Sequence, residues 1–201
     1  DDLFQGPLLL DSGKGVHTHF KDSWAEGMWG QWDTDQRGVR PWLPPFQIPS
    51  QGLGVFVAKT DSWMGFNEHA RGFGGEEWNI HLKYRKAGRS TWCLPFLRWI
   101  HRFGRVAASR NYALSGWDKV RNYVLWANEL ELPLEPIHEH FVIGKNNKSG
   151  GRITQKNWDR LIEDPVGLIR EPKEGCSTCG KKRGASQIDL SGELKPNISA
   201  N

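Results

Sequence analysis

Strand and helix candidates alternate along residues 1–144, and this alternation predicts an α/β fold followed by a loose polar tail. Three observations carry the prediction: an apolar run over residues 52–59, a helical segment over residues 76–87 closed by Gly88, and a second apolar run over residues 90–100. The 201 residues are 37% hydrophobic and include eleven Trp. That is enough apolar surface for a core, so wholesale disorder is excluded.

Residues 1–60 read as short strands and loops, punctuated by Gly6-Pro7, Gly13, Gly15 and then Pro41, Pro44, Pro45 and Pro49. Residues 52–59 have apolar side chains on both faces, as expected of a buried strand. A loop rich in glycine and aromatics fills residues 65–75. The next segment, 76–87, carries two acids in its first turn, where a helix dipole favours them, and Gly88 is a natural stop. Trp78, Leu82 and Arg85 share one side of that helix, while Ile80, Tyr84 and Ala87 share another. Residues 90–100 form a buried strand interrupted at Pro95. Val120, Tyr123, Val124, Ala127 and Leu130 follow helical spacing and predict an amphipathic helix over 118–130. A boundary is expected near residue 144, where a flexible GKNNKSGG stretch begins. Beyond it lie one short helix over 154–162 and a polar tail.

The net charge of +4 is unevenly placed. Residues 1–144 hold sixteen Lys/Arg and sixteen Asp/Glu, so the excess comes from residues 145–201, with eleven against seven. This is not the broad basic stripe of a general nucleic-acid surface. Within the neutral part, residues 71–110 hold nine Lys/Arg against Glu76 and Glu77 alone, a segment suited to meeting a phosphate or diphosphate. No apolar run reaches the length of a membrane span, and no signal-peptide pattern opens the chain. Three cysteines exclude a disulfide scaffold and fit a reducing, cytoplasmic compartment. The chain begins at Asp1 and enters an apolar stretch within two residues, which reads as the back part of something longer.

Three short pieces carry the chemistry: Gly52-Leu53-Gly54, Phe73-Gly74-Gly75-Glu76-Glu77, and Arg98-Trp99-Ile100-His101-Arg102-Phe103. Singly, each has an ordinary structural explanation, such as a tight turn capping a helix or a core histidine. Their order and spacing resemble the second half of the catalytic domain of GT-A-type glycosyltransferases, above all the bacterial and phage family 2 group. Polypeptide N-acetylgalactosaminyltransferases and beta-1,4-galactosyltransferases are more distant parallels. Gln5-Gly6-Pro7-Leu8 and the stretch from Gly27 to Trp32 look like the same group, and the resemblance covers roughly residues 3–141.

The resemblance implies a GT-A (nucleotide-diphospho-sugar transferase) fold without its nucleotide-binding half. It also implies transfer of a sugar from a nucleotide donor, expected to be UDP-linked, to a hydroxyl acceptor on a protein, glycan, lipid or modified DNA base. Departure of the diphosphate places negative charge that Mn²⁺ or Mg²⁺ and basic side chains would neutralise. In this scheme His101 is a metal ligand, and Arg98 and Arg102 hold the diphosphate, with Trp99 and Arg105 nearby. Glu76 orients sugar hydroxyls, and Glu77 is the base if the transfer inverts the anomeric centre. Gly52, Gly54, Gly74 and Gly75 let backbone approach the sugar, while Trp29, Trp32, Phe73 and Trp78 offer flat stacking faces.

Asp33-Thr34-Asp35 spells the Asp-x-Asp metal motif of these families, but it follows a loop-like segment and comes after the Gln-Gly-Pro-Leu stretch. It reads as a coincidence. The ligand pair is expected upstream of Asp1, and the chain alone is expected to bind donor poorly. Cys176 and Cys179, with His138 and His140 upstream, offer part of a zinc-type spacing and read as a mobile, unliganded pair, while Cys93 reads as core. The rival reading is a carbohydrate- or nucleic-acid-binding module that stacks ligands on its Trp residues; a catalytically dead remnant is a third.

Overall fold

The computed structural model describes residues 1–12, 15–25, 27–101, 115–144 and 152–167; Arg102, Arg105, Cys176 and Cys179 lie outside the described residues. In chain order the strands are β1 (Leu3–Gln5), β2 (Leu8–Leu10), β3 (Val16–His17), β4 (His19–Ala25), β5 (Met28–Asp33), β6 (Phe46–Gln47), β7 (Phe56–Val57), β8 (Thr91–Cys93) and β9 (Trp99–His101). The helices are α1 (Gln36–Val39), α2 (Glu76–Lys86), α3 (Gly116–Glu129), α4 (Glu135–His138) and α5 (Gln155–Glu163). A wider π turn over Glu139–Ile143 continues α4. Helices and strands are thus mixed along the chain, as the sequence predicts.

The chain over residues 3–10 lies parallel to residues 91–101. β1 pairs with β8, Leu3 opposite Thr91, and β2 pairs with β9, Leu8 opposite Trp99. Parallel strands need a crossover, and α2 lies just before β8 and contacts it. Both partners break at the same level, at Gly6-Pro7 and at residues 94–98. A Cβ on Gly6 would fall 1.4 Å from the Leu97 carbonyl oxygen, so only glycine fits that crossing. The result is a four-stranded sheet, β6-β8-β1-β7, and a three-stranded sheet, β3-β2-β9; β4 and β5 form a separate antiparallel hairpin.

Helix α2 has its acids in the first turn and Lys83, Arg85 and Lys86 in the last, matching the dipole at both ends. Gly88, in the left-handed region at φ 72°, closes it, and the Arg89 N–H donates back to the Tyr84 carbonyl over 2.9 Å. Ile80 and Tyr84 bury their side chains against Leu3 of β1. Each such burial is worth roughly 1.5–3 kcal/mol. Helix α3 starts at a Ser115 cap whose hydroxyl accepts from the Asp118 N–H. Its buried face, including Val120, Tyr123, Val124 and Trp126, packs with Ile137, Phe141, Trp158 and Leu161.

One expectation is corrected. Residues 52–59 are not a buried strand: only Phe56 and Val57 pair, on the edge of the larger sheet, and they are 38% and 50% exposed. The reason is local, because Gly52 and Gly54 are pinned under Trp32 and Trp99 and the chain extends only beyond them. Beyond residue 144, Trp158 and Leu161 of α5 belong to the same buried cluster as α3.

Candidate functional site

The loop before α2 is built from glycines that no other residue replaces cheaply. Gly72, Gly74 and Gly75 have φ of 65°, 125° and 84°, in the left-handed range. A Cβ on Gly74 would lie 2.6 Å from Cγ of Lys119, and one on Gly75 would lie 2.4 Å from Cζ3 of Trp126 and 2.7 Å from Cζ of Tyr123. The room expected for a sugar at these two glycines is therefore filled by the protein's own α3. Phe73, between Gly72 and Gly74, is half-buried.

Glu76 turns back on this loop, and its carboxylate accepts the Gly74 N–H over 2.8 Å. Glu77 retains some accessible surface, yet its carboxyl is packed among protein atoms. Burial, reinforced by the adjacent Glu76 charge, pushes it up to about 8. The helix N-terminus favours an ionised acid by only about 0.3–1 kcal/mol, so desolvation and like charge outweigh it here. Tyr123 is fully buried across from the acids, and its hydroxyl accepts the Trp29 N–H over 2.7 Å. Burial, with a smaller contribution from Glu77 and Glu76, raises its phenol pKa. Lys119 is held down by burial while the Glu76 charge opposes that shift.

Trp29 and Trp78 wall this acidic end. Their rings lie 6.3 Å apart, and Trp78 is 5.5 Å from Tyr123. The Trp29 indole N–H donates to Asp22 over 3.4 Å, and the other Asp22 oxygen pairs with Arg85 over 3.0 Å. Trp32, three residues along the same strand, faces the other way. It packs on Phe20 at 4.1 Å and on His17 at 5.5 Å.

The remaining expected residues gather around Trp32 rather than around Glu76. Gly52 sits under the Trp32 and Trp99 rings, and a Cβ on Gly54 would lie 2.1 Å from Trp99. Trp99 is further tied by its indole N–H to the Gly6 carbonyl at 3.0 Å, so these glycines serve protein packing. His101 ends β9 opposite Leu10, with its ring 5.7 Å from Trp99. Burial lowers its pKa, against the pull of Asp11. Arg98 donates to the carbonyls of Pro95, Gly38 and Val39, which ties the β8–β9 loop to the end of α1. Its guanidinium is committed to backbone oxygens, unlike the diphosphate clamp the resemblance implies.

In the Asp33-Thr34-Asp35 segment both carboxylates have protein partners. Asp33 pairs with Lys21 over 3.1 Å, and Asp35 caps α1 and pairs with Arg37 over 2.7 Å. Among the described residues no group of three or more His, Cys, Asp or Glu could hold a metal ion. His101 and the nearby Asp11 are two donors of a kind that can hold Mn²⁺ or Mg²⁺ together with water and phosphate oxygens.

The two neighbourhoods are bridged by a residue that sequence reasoning missed. His81 is completely buried, with Nδ1 at 2.6 Å from the Glu77 carbonyl oxygen and Nε2 at 2.6 Å from Oε1 of Gln5. The Gln51 N–H, next to Gly52, also points at Nε2 over 3.2 Å. A signal was present: Glu77, His81 and Arg85 recur at i, i+4 and i+8, one ionisable stripe along a single helix face. No family model and no curated protein matches the chain. Among the described residues no helix is long and apolar enough to cross a membrane.

Proposed function

We propose that the chain is the acceptor-side part of a GT-A-type glycosyltransferase in which Glu77 is the base. One observation carries this reading: a carboxyl raised to about 8, at the head of a helix, behind a glycine loop and beside the Trp29–Trp78 wall. A general base works best with a pKa near the operating pH, and an ordinary surface glutamate is far too acidic for that. At neutral pH Glu77 is mostly protonated, and its ionised form is basic enough to hold the proton it takes.

In an inverting transfer, Glu77 removes the acceptor hydroxyl proton as the oxygen attacks the anomeric carbon. The bond from that carbon to the diphosphate breaks, and its electron pair leaves with the nucleotide. Glu76, fixed by the Gly74 N–H, holds its free lone pairs for sugar hydroxyls. Trp29 and Trp78 supply apolar faces to a sugar ring. A divalent cation would neutralise the departing diphosphate. The resemblance assigns His101 to it, with the other ligands expected upstream of Asp1.

Glu77→Gln tests the reading. In the full-length enzyme, turnover should fall more than 100-fold while donor affinity, measured by calorimetric titration of UDP with and without Mn²⁺, stays within threefold. Unchanged turnover removes Glu77 from the chemistry. Tight oligosaccharide binding that needs neither nucleotide nor metal would instead make the chain a binding module.

A further inference from the structure

His81 stands among three polar partners that one neutral ring cannot satisfy together. Oε1 of Gln5 and the Glu77 carbonyl oxygen each call for a donor, on Nε2 and Nδ1 respectively, whereas the Gln51 N–H calls for an acceptor on Nε2. The Gln5 amide is not free to turn over, because its NH₂ donates to the Gly52 carbonyl over 3.1 Å. Gln51 is held as well, accepting the Gly52 N–H at 3.0 Å and donating to the His17 carbonyl at 3.0 Å.

Burial drives the His81 pKa down to about 4, with Arg85 lowering it further and Asp22 opposing, so the ring carries one proton at neutral pH. A proton on Nδ1 satisfies two contacts, to Glu77 and from Gln51. A proton on Nε2 satisfies only the one to Gln5. The Nδ1–H tautomer therefore wins by count, and it ties the first turn of α2 to the Gln51–Gly52 segment.

We infer that His81 is a positioning residue: as the Nδ1–H tautomer it pins the Glu77 peptide, and so keeps the Glu77 carboxyl buried beside Tyr123 and Glu76. This deepens the transferase reading and rests on it only for its catalytic meaning. Without the pin, the first turn would loosen, more water would reach the carboxyl, and Glu77 would return toward an ordinary glutamate value.

The test reads protons directly by NMR on the full chain, with no need for turnover. In the wild type, ¹⁵N shifts of the His81 ring should show Nδ1 protonated and Nε2 bare, unchanged between pH 5.5 and 8.5. A ¹³C titration of the Glu77 carboxyl should then give a midpoint at least one unit lower in His81→Phe, a tenfold loss of proton affinity. His81→Asn, which can present a donor where Nδ1 stood, should restore most of that difference. A ring proton on Nε2 overturns the inference, as does an unmoved Glu77 midpoint in folded His81→Phe. If His81→Phe does not fold, the wild-type ring tautomer decides alone. Were these results as expected but no sugar transfer found in the full-length enzyme, the transferase reading would fall and the positioning role would stand.

Discussion

Glu77 holds its proton in the folded chain up to about pH 8, whereas an unfolded glutamate releases it near 4.3. Between those values the folded state binds more protons than the unfolded one, so this residue's contribution to stability is complete below pH ~4 and declines as pH rises through 8. Glu77→Gln keeps the shape and removes the titration. Its Tm should match the wild type at pH 4 and exceed it by several degrees at pH 8.5; equal values at both would mean that the carboxyl is not buried as described. Single residues also mark the limit of what the sequence told. Glu76, Glu77 and His101 stood out as chemical types, but burial sorted them, leaving Glu76 clamped to its own loop and Glu77 desolvated. Desolvation depends on tertiary packing, in which Tyr123 of α3 comes close to both acids from far along the chain, so no local pattern around residues 76–77 could show it.

At the scale of elements, the glycine loop and the ends of the helices follow backbone rules that were legible. Gly88 stops α2 and Ser115 starts α3, ahead of the expected Asp118, because the hydroxyl cap rather than the first apolar residue sets the start. The residues 52–59 stretch was misread because its apolar pattern says nothing of Trp32 and Trp99 covering its glycines. Gly75→Ala should cost roughly 2–4 kcal/mol, from a left-handed backbone and a Cβ driven into Trp126 and Tyr123. A loss below about 0.5 kcal/mol in urea unfolding would contradict that packing. Glu131 presents the opposite case. At φ 50° it is the left-handed residue at the end of α3, where the Leu132 N–H donates to the Ala127 carbonyl at 2.8 Å. Glu131→Gly should therefore stabilise by about 0.5–1 kcal/mol, read as a higher urea midpoint at unchanged m-value. A lower midpoint would show that contacts of the Glu131 side chain outweigh its backbone strain.

For the molecule as a whole, residues 3–10 laid along residues 91–101 form the frame, and α2 and α3 bring the glycine loop to one of its flanks. The Trp residues mostly serve that frame. Trp117, Trp126 and Trp158 are buried in the α3 cluster, Trp99 is bound to Gly6, and Trp29 and Trp78 pack against that cluster while keeping part of their surface exposed. A Glu77 base held near neutrality is the central proposal, and the pH dependence of sugar transfer tests it most directly. Turnover should rise about tenfold per unit below pH 8 and level off above it, and this rising limb should vanish in Glu77→Gln. A wild-type profile that is flat from pH 6 to 9, or that bends only near pH 4–5, would contradict it.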